Sequence, residues 1–288
     1  MAQTKKQIRH LLETAGARPL RQYGQNFLID HNLMNKIVRA AELSPEDTVL
    51  EVGPGTGALT ERLLEVCGHV VAVEIDKGLH QLCHDRLIVQ KKYSNLTLFH
   101  RDILEKKSMI AGEVLHALST KQKQLKGRIL LVANLPYQVA TPLIMELIVG
   151  ELPVSRLCFT VQEEVAQRLL ASPGGKQYGP ISIYTQAFAT VRRVARLQPD
   201  VFWPPPKVES AMLRLDVHLE NKWSPQKRCL LKRIVQGCFN HRRKTMQANL
   251  KNVLDKQTFH KVQKSNRWPL DQRPENLDIN QWLALADF

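Results

Sequence analysis

The chain has 288 residues, 43% of them hydrophobic and 24% charged. That is the balance of a soluble globular protein, long enough for one large domain or a domain with an appendage. No apolar run approaches the roughly 20 residues that span a bilayer, and the N-terminus lacks the apolar core of a secretory signal. Membrane and secreted classes are therefore set aside, and a cytoplasmic location is expected.

The formal net charge of +14 is concentrated at the two ends. Residues 1–22 hold five Lys/Arg against one acid, and residues 219–288 hold fourteen against six. The middle, 23–218, is nearly balanced at twenty-two against twenty. Basic flanks around a neutral middle suit a polyanionic partner gripped by the flanks, although solvated faces of a basic protein would give the same count. The five cysteines form no C-x-x-C pair, which argues against a zinc site or disulfide framework and for a reducing compartment. The ten His residues are scattered, and no metal is expected.

Residues 1–22 read as a basic extension containing a short helix, with Ile8, Leu11 and Leu12 on one face and an end near Gly16 and Pro19. A mitochondrial presequence is the competing reading of such an acid-poor segment. From Thr48 the pattern alternates: strands at 48–53 and 69–74, with helices after Gly57 and Asp76, then strands at 96–100, 128–133 and 156–161. The connection 103–127, with Lys106 and Lys107, is expected to hold one helix at 109–118. Further strands are expected at 181–190, 194–197 and 210–217 around Pro204-Pro205-Pro206, which cannot occupy a central strand. Beyond residue 219 the pattern becomes helical, at 226–239, 242–253 and 256–265. The expected fold is α/β: a parallel sheet covered by helices over 23–218, followed by a small helical domain over 219–288.

Gly53-Pro54-Gly55-Thr56-Gly57 closes a strand and opens a helix, where a tight turn and close ligand approach need residues without Cβ. No Gly-Lys-Ser/Thr follows, so it is not a phosphate loop, and Ala58 stands where a dinucleotide fingerprint would have its third Gly. Glu74 ends the next strand, where a carboxylate can accept both ribose hydroxyls of a nucleoside. Together these residues say "adenosine-containing cofactor" and leave NAD and S-adenosylmethionine both open. Asp102, after the third strand, could accept an adenine amino group, or simply shape a turn.

Asn134-Leu135-Pro136-Tyr137 directly follows an apolar run, which puts it at the same sheet edge. An Asn oxygen and the Leu135 or Pro136 carbonyl can accept the hydrogens of a planar exocyclic amine, Pro136 stiffens the turn, and Tyr137 can stack on the base. A dehydrogenase has no particular use for this set, whereas methylation of a nucleobase amine does.

These motifs resemble the ribosomal RNA adenine dimethyltransferase family along nearly the whole chain. Gly24-Gln25-Asn26-Phe27-Leu28 is similar to its opening signature, and 50–57 and 134–137 to its cofactor and catalytic motifs. Phe202-Trp203-Pro204-Pro205-Pro206-Lys207-Val208 with Ser210, Phe239-Asn240-His241-Arg242-Arg243-Lys244, and Arg273-Pro274-Glu275 resemble the rest. The resemblance implies a Rossmann-like class I methyltransferase sheet with a small C-terminal helical domain. It implies transfer of four methyl groups from S-adenosyl-L-methionine to two adjacent adenines in a hairpin near the 3′ end of small-subunit rRNA, on immature ribosomal subunits and by a monomer.

Cofactor contacts are then expected from Asn26, Leu28, Gly53, Gly55, Glu74, Asp102 and Asn134. The target base is expected between Tyr137 and Phe202, and RNA phosphates at Arg242, Arg243 and Lys244. Two departures stand out: Glu163 replaces a usual Lys, and the stretch from Asp102 to Asn134 is longer than usual. The alternatives are a resistance-type methyltransferase of large-subunit rRNA, and a ribosome-assembly or mitochondrial transcription factor that mainly binds.

Overall fold

The computed structural model describes residues 3–20, 24–106, 109–219, 223–265 and 268–287. Lys107 of the long connection, and residues 220–222 beside the expected domain boundary, lie outside these. Helix α1 (Lys5–Thr14) starts at Thr4, whose hydroxyl accepts from the Gln7 N–H while the Gln7 side chain accepts from the Thr4 N–H. Its Ile8 and Leu12 are buried against Leu79, a gain of roughly 1.5–3 kcal/mol for each side chain. The N-terminal segment is thus packed into the first unit, with Leu11 only half-buried.

In chain order there follow β1 (Phe27–Leu28), α2 (His31–Ala41), β2 (Thr48–Val52), α3 (Ala58–Leu64), β3 (His69–Glu74), α4 (Lys77–His84) and β4 (Leu96–His100). The long connection forms a hairpin, β5 (Leu104–Lys106) and β6 (Met109–Ile110), and then α5 (Gly112–Leu125). Next come β7 (Ile129–Asn134), α6 (Tyr137–Val149), β8 (Val154–Gln162), α7 (Glu163–Leu169), α8 (Pro180–Phe188), β9 (Ala189–Leu197), β10 (Phe202–Trp203) and β11 (Ser210–Val217). The chain closes with α9 (Pro225–Asn240), α10 (Met246–Val253), α11 (Lys256–Ser265) and α12 (Ile279–Leu285).

Seven strands form the main sheet in the order β4-β3-β2-β7-β8-β11-β9. The first five run parallel, and β11 joins β8 antiparallel. Strands β2 and β3 are buried at every position, which is why their sequences are near-continuous apolar runs and not alternating ones. All parallel strands deliver their C-terminal ends to one edge, where open α/β sheets bind ligands.

The chain divides into two compact units, 1–166 with 191–217, and 167–190 with 218–288. Residues 167–190, expected within 23–218, therefore group with the C-terminal helices. The expected strand at 181–190 is helix α8. Residues 182–185, 187 and 188 are all buried, Ser182 and Thr185 among them, and a segment buried nearly all round carries no apolar period that separates helix from strand. The decisive local sign is Pro180 at the first helical position. The helix expected at 109–118 begins three residues later, after β6, and runs on to Leu125. The helix expected from Arg242 begins at Met246, behind a Thr245 cap that accepts from the Ala248 N–H. Helices α2 and α12 were not anticipated.

Candidate active site

A cavity of about 250 Å3 opens at the C-terminal edge of the sheet in the first unit. Residues 24–27 form one wall; Gly53, Gly55, Glu74, Asp102 and Asn134 supply others. Sequence reasoning placed these positions on four strand ends, and the parallel order β4-β3-β2-β7 brings them together.

The glycine turn is held open by what it lacks. Gly53, Gly55 and Gly57 all have positive φ, at 74°, 59° and 76°. A Cβ on Gly53 would come 3.1 Å from Cγ of Pro136, and one on Gly55 would come 2.8 Å from Cε1 of Phe27. The cofactor-type loop thus touches both the catalytic-type turn and the opening signature. From behind, Gln3 bonds to the Thr56 hydroxyl, and Arg86 donates to the Thr56 carbonyl at 2.6 Å.

Glu74 is buried, with one carboxylate oxygen accepting from the Gly55 N–H and the other from the Asp76 N–H, both at 3.0 Å. Burial pushes its carboxyl above the usual carboxylate range, opposed by these two N–H donors. Asp76 caps α4 by accepting from the Leu79 N–H, and its other oxygen accepts from the Gln25 amide at 3.2 Å. The exposed Asp102 accepts from the Leu104 N–H at 2.9 Å, so it shapes a turn while lining the cavity. Beneath the loop, Glu51 is buried, and one of its oxygens finds no hydrogen-bond partner among the described residues. Desolvation, and then the nearby Glu74 charge, push its carboxyl up to about 8.

Asn134 ends β7 with its side-chain amide donating to the Asn26 main-chain carbonyl at 2.8 Å. Its oxygen accepts from the Thr160 hydroxyl. The Tyr137 hydroxyl shares a 2.7 Å hydrogen bond with Ser210 of β11, and burial raises its pKa, so the phenol stays protonated at neutral pH. Leu135 points into the core, while Pro136 packs over Gly53.

Two expected site residues do not reach the cavity. Strands β1 and β10 pair Phe27 with Trp203 and Leu28 with Phe202. Successive strand residues face opposite ways, so Leu28 and Phe202 enter the main apolar core while Phe27 and Trp203 stack at 6.3 Å. Phe202 is only 2% exposed. In the second unit Arg242 is committed to its own surroundings: it donates to the carbonyls of Lys176 and Gly175 and pairs with Glu275 at 3.5 Å. Arg243 and Lys244 are exposed. Glu163 receives both arms of Arg193, at 2.6 and 2.8 Å, which gives this acid an internal role.

Cavity residues missed from sequence include Gln25, Phe27, Ile75 and Ile103. The first two sat inside the recognised signature, and Ile75 is an apolar residue left 39% exposed directly after Glu74. Thr160 carried no signal, being one β-branched residue inside a strand. His80 and His84 stand four apart on α4, but among the described residues no group of three His, Cys, Asp or Glu could hold a metal.

The family model described as ribosomal RNA adenine dimethylase matches residues 18–288. The chain is 36% identical over 271 residues to Ribosomal RNA small subunit methyltransferase A of Lachnoclostridium phytofermentans, covering 93% of this chain and 90% of that one. It is also 36% identical to the protein of the same name from Geobacillus sp., over 97% and 94% of the two chains. Among solved structures, a dimethyladenosine transferase from Plasmodium falciparum superposes with a TM-score of 0.72 at 26% identity, covering 90% of this chain and 95% of that one. The 23S rRNA methyltransferase ErmE shares the fold, with a TM-score of 0.65 at 22% identity over 91% of this chain and 98% of that one. With its class I sheet, its glycine turn and its Asn134 edge in place, the chain belongs to the ribosomal RNA adenine dimethylase family.

Proposed function

We propose that this protein transfers methyl groups from S-adenosyl-L-methionine to N6 of two adjacent adenines in a hairpin near the 3′ end of small-subunit rRNA, leaving N6,N6-dimethyladenosines. It does so as a monomer, on immature small subunits in the cytoplasm. The observation that carries this reading is the position of Asn134, which lines the same cavity as Gly53, Gly55 and Glu74. The relatives named as small-subunit methyltransferases favour that RNA over the large-subunit one. Five free cysteines suit a reducing compartment.

The residues present fit the methyl donor. Gly53 and Gly55 line the cavity with bare main chain, and their left-handed turn lets Phe27 and Pro136 close around it. Each Glu74 oxygen accepts one main-chain N–H and keeps a lone pair for a ribose hydroxyl. Ile75 offers an apolar face to a flat base, and the second Asp102 oxygen offers an acceptor for its amino group. When bound, S-adenosyl-L-methionine supplies a methyl on a sulfonium: the amine lone pair forms the N–C bond as the C–S bond breaks, its electrons return to sulfur, and one amine proton leaves to water.

The chain's own residues supply position. An adenine N6 lone pair is delocalised into the ring, and accepting its N–H hydrogens at Asn134 and at the Leu135 or Pro136 carbonyl favours a tetrahedral nitrogen. Tyr137, tied to Ser210, presents a ring face to a base taken out of its stack. No strong base is needed, because the amine becomes acidic as it is methylated. Alignment therefore supplies most of the acceleration.

Incubation with methyl-labelled S-adenosyl-L-methionine and small subunits lacking the modification should label two adjacent adenines of the 3′ hairpin, read by mass spectrometry of nuclease fragments. Label confined to large-subunit RNA, or absent from RNA, overturns this reading.

A further inference from the structure

The Asn134 amide is held from two sides, and one of those sides lies outside every recognised motif. Its nitrogen donates to the Asn26 carbonyl at 2.8 Å. A carbonyl can only accept, so the amide cannot be turned over, and its oxygen must face β8. There it meets the hydroxyl of Thr160, the residue directly opposite Asn134 in the β7–β8 register. Thr160 is fully buried and is not part of the cavity wall. Because the Asn134 oxygen has no hydrogen to give, the Thr160 hydroxyl is the donor. One lone pair of that oxygen is thereby occupied, and one remains.

We propose that Thr160 is a positioning residue for methyl transfer. Its hydroxyl fixes the rotation of the Asn134 amide, so that the remaining lone pair is aimed at the amine in the cavity. This rests on the reaction proposed above and adds to it a residue that touches neither base nor cofactor.

The two transfers at one nitrogen do not depend on this aim equally. An unmethylated amine has two N–H groups for two acceptors, the Asn134 oxygen and a main-chain carbonyl of the turn. A monomethylated amine keeps one N–H. If the Asn134 oxygen swings, the first transfer always retains one N–H on the main-chain carbonyl, while the single N–H of the monomethylated amine is left without a fixed acceptor whenever it faces Asn134. Loss of the Thr160 hydroxyl therefore impairs the second transfer more than the first.

The test compares Thr160→Val, which keeps the branched shape without the donor, with Thr160→Ser, which keeps the donor. Single-turnover methylation of unmodified small subunits is followed at saturating S-adenosyl-L-methionine, with mono- and dimethyladenosine quantified separately. Cofactor affinity is measured by calorimetry and folding by thermal melting. Thr160→Val should slow transfer by about 10–100-fold and accumulate monomethyladenosine, with cofactor affinity and melting near wild type. Thr160→Ser should restore both rate and product ratio.

A wild-type rate and product ratio in Thr160→Val would overturn the inference. So would equal impairment of both variants, or a loss that tracks melting and cofactor affinity, because each assigns Thr160 a structural role only. A wild-type protein that methylates no rRNA adenine sinks the proposed function itself, and this inference with it; a wild type that does so beside an unimpaired Thr160→Val sinks the inference alone.

Discussion

The Gly53–Gly57 turn and the Asn134–Tyr137 turn end the neighbouring parallel strands β2 and β7 and line one cavity, yet opposite means fix their shapes. The glycine turn depends on missing atoms: three positive φ angles, with Phe27 and Pro136 pressed where side chains would be. The catalytic-type turn depends on added bonds, from Asn26, Thr160 and Ser210, drawn from segments 108, 26 and 73 residues away. The first can be damaged by adding one methyl group, the second by removing one polar group. The first should therefore fail in cofactor affinity, and the second in rate.

The largest effect is expected at Asn134. Asn134→Ala removes the acceptor proposed to face the amine and should lower the single-turnover rate by about 10²–10³-fold in a protein that still folds. Its melting temperature should be lower, because the Asn26 carbonyl and the buried Thr160 hydroxyl lose their partner. Near-normal turnover in this folded variant would erase the contrast between the two turns. Gly55→Ala should act on the other side of it. A left-handed backbone with a side chain costs roughly 1–3 kcal/mol, here with Phe27 also in the way, so cofactor binding should weaken by about 10–100-fold in calorimetry. The rate at saturating cofactor should change far less, and a pure rate defect would show that the loop does catalytic work.

A third test asks whether either turn senses the basic flank. Arg243→Ala with Lys244→Ala should weaken RNA binding and lower its logarithmic salt slope by about 1–2, with cofactor affinity and saturated rate untouched. Arg242→Ala should behave differently and lower the melting temperature, because it strips donors from two carbonyls and a partner from Glu275. If all three side chains gave the same salt-slope effect and none altered melting, the structural role of Arg242 would be wrong.

The smallest expected effect concerns Glu51 under the glycine turn. Its carboxyl is raised from 4.5 to about 8, chiefly by desolvation. A raised carboxyl contributes stability that is complete below the unfolded pKa and is lost as pH rises through the folded one. Glu51→Gln keeps the shape without a charge to bury. Its melting temperature should exceed the wild type's by more at high pH, above about 8, than at about pH 5. A constant difference across that range would mean that Glu51 does not titrate there.

Legibility in the sequence followed the same division. Strand β3 was read to the residue because it is buried throughout and leaves a nearly unbroken apolar run. Strands β4 and β11 were read so because apolar residues alternate with polar ones, as at Leu96-Thr97-Leu98 and Leu213-Arg214-Leu215. The glycine turn was legible because its requirement is local. Glu74 and Asn134 could be placed because each ends such a run. What stayed hidden was everything fixed by pairing between distant segments. The β1–β10 register that sends Phe202 inward depends on residues 174 positions apart. The partners of Arg242 lie 66 and 67 residues upstream. Helix α8 was missed for another reason: it is buried nearly all round, Ser182 and Thr185 included, so only Pro180 marked it as helical.

The second unit is assembled from two stretches of chain, 167–190 and 218–288, with the strands β9 to β11 threaded between them. It is therefore not a module that can be cut out and grafted. A fragment beginning at residue 219 would lack α8, and with it Tyr184, whose hydroxyl donates to the Lys232 carbonyl of α9, and Phe188, whose ring meets Trp223 edge-on. During synthesis, too, α8 emerges well before the helices it packs against, so this unit can close only after β11 has been made. Swapping the second unit between relatives would have to exchange both stretches together, or remodel the exposed positions singly on an intact chain.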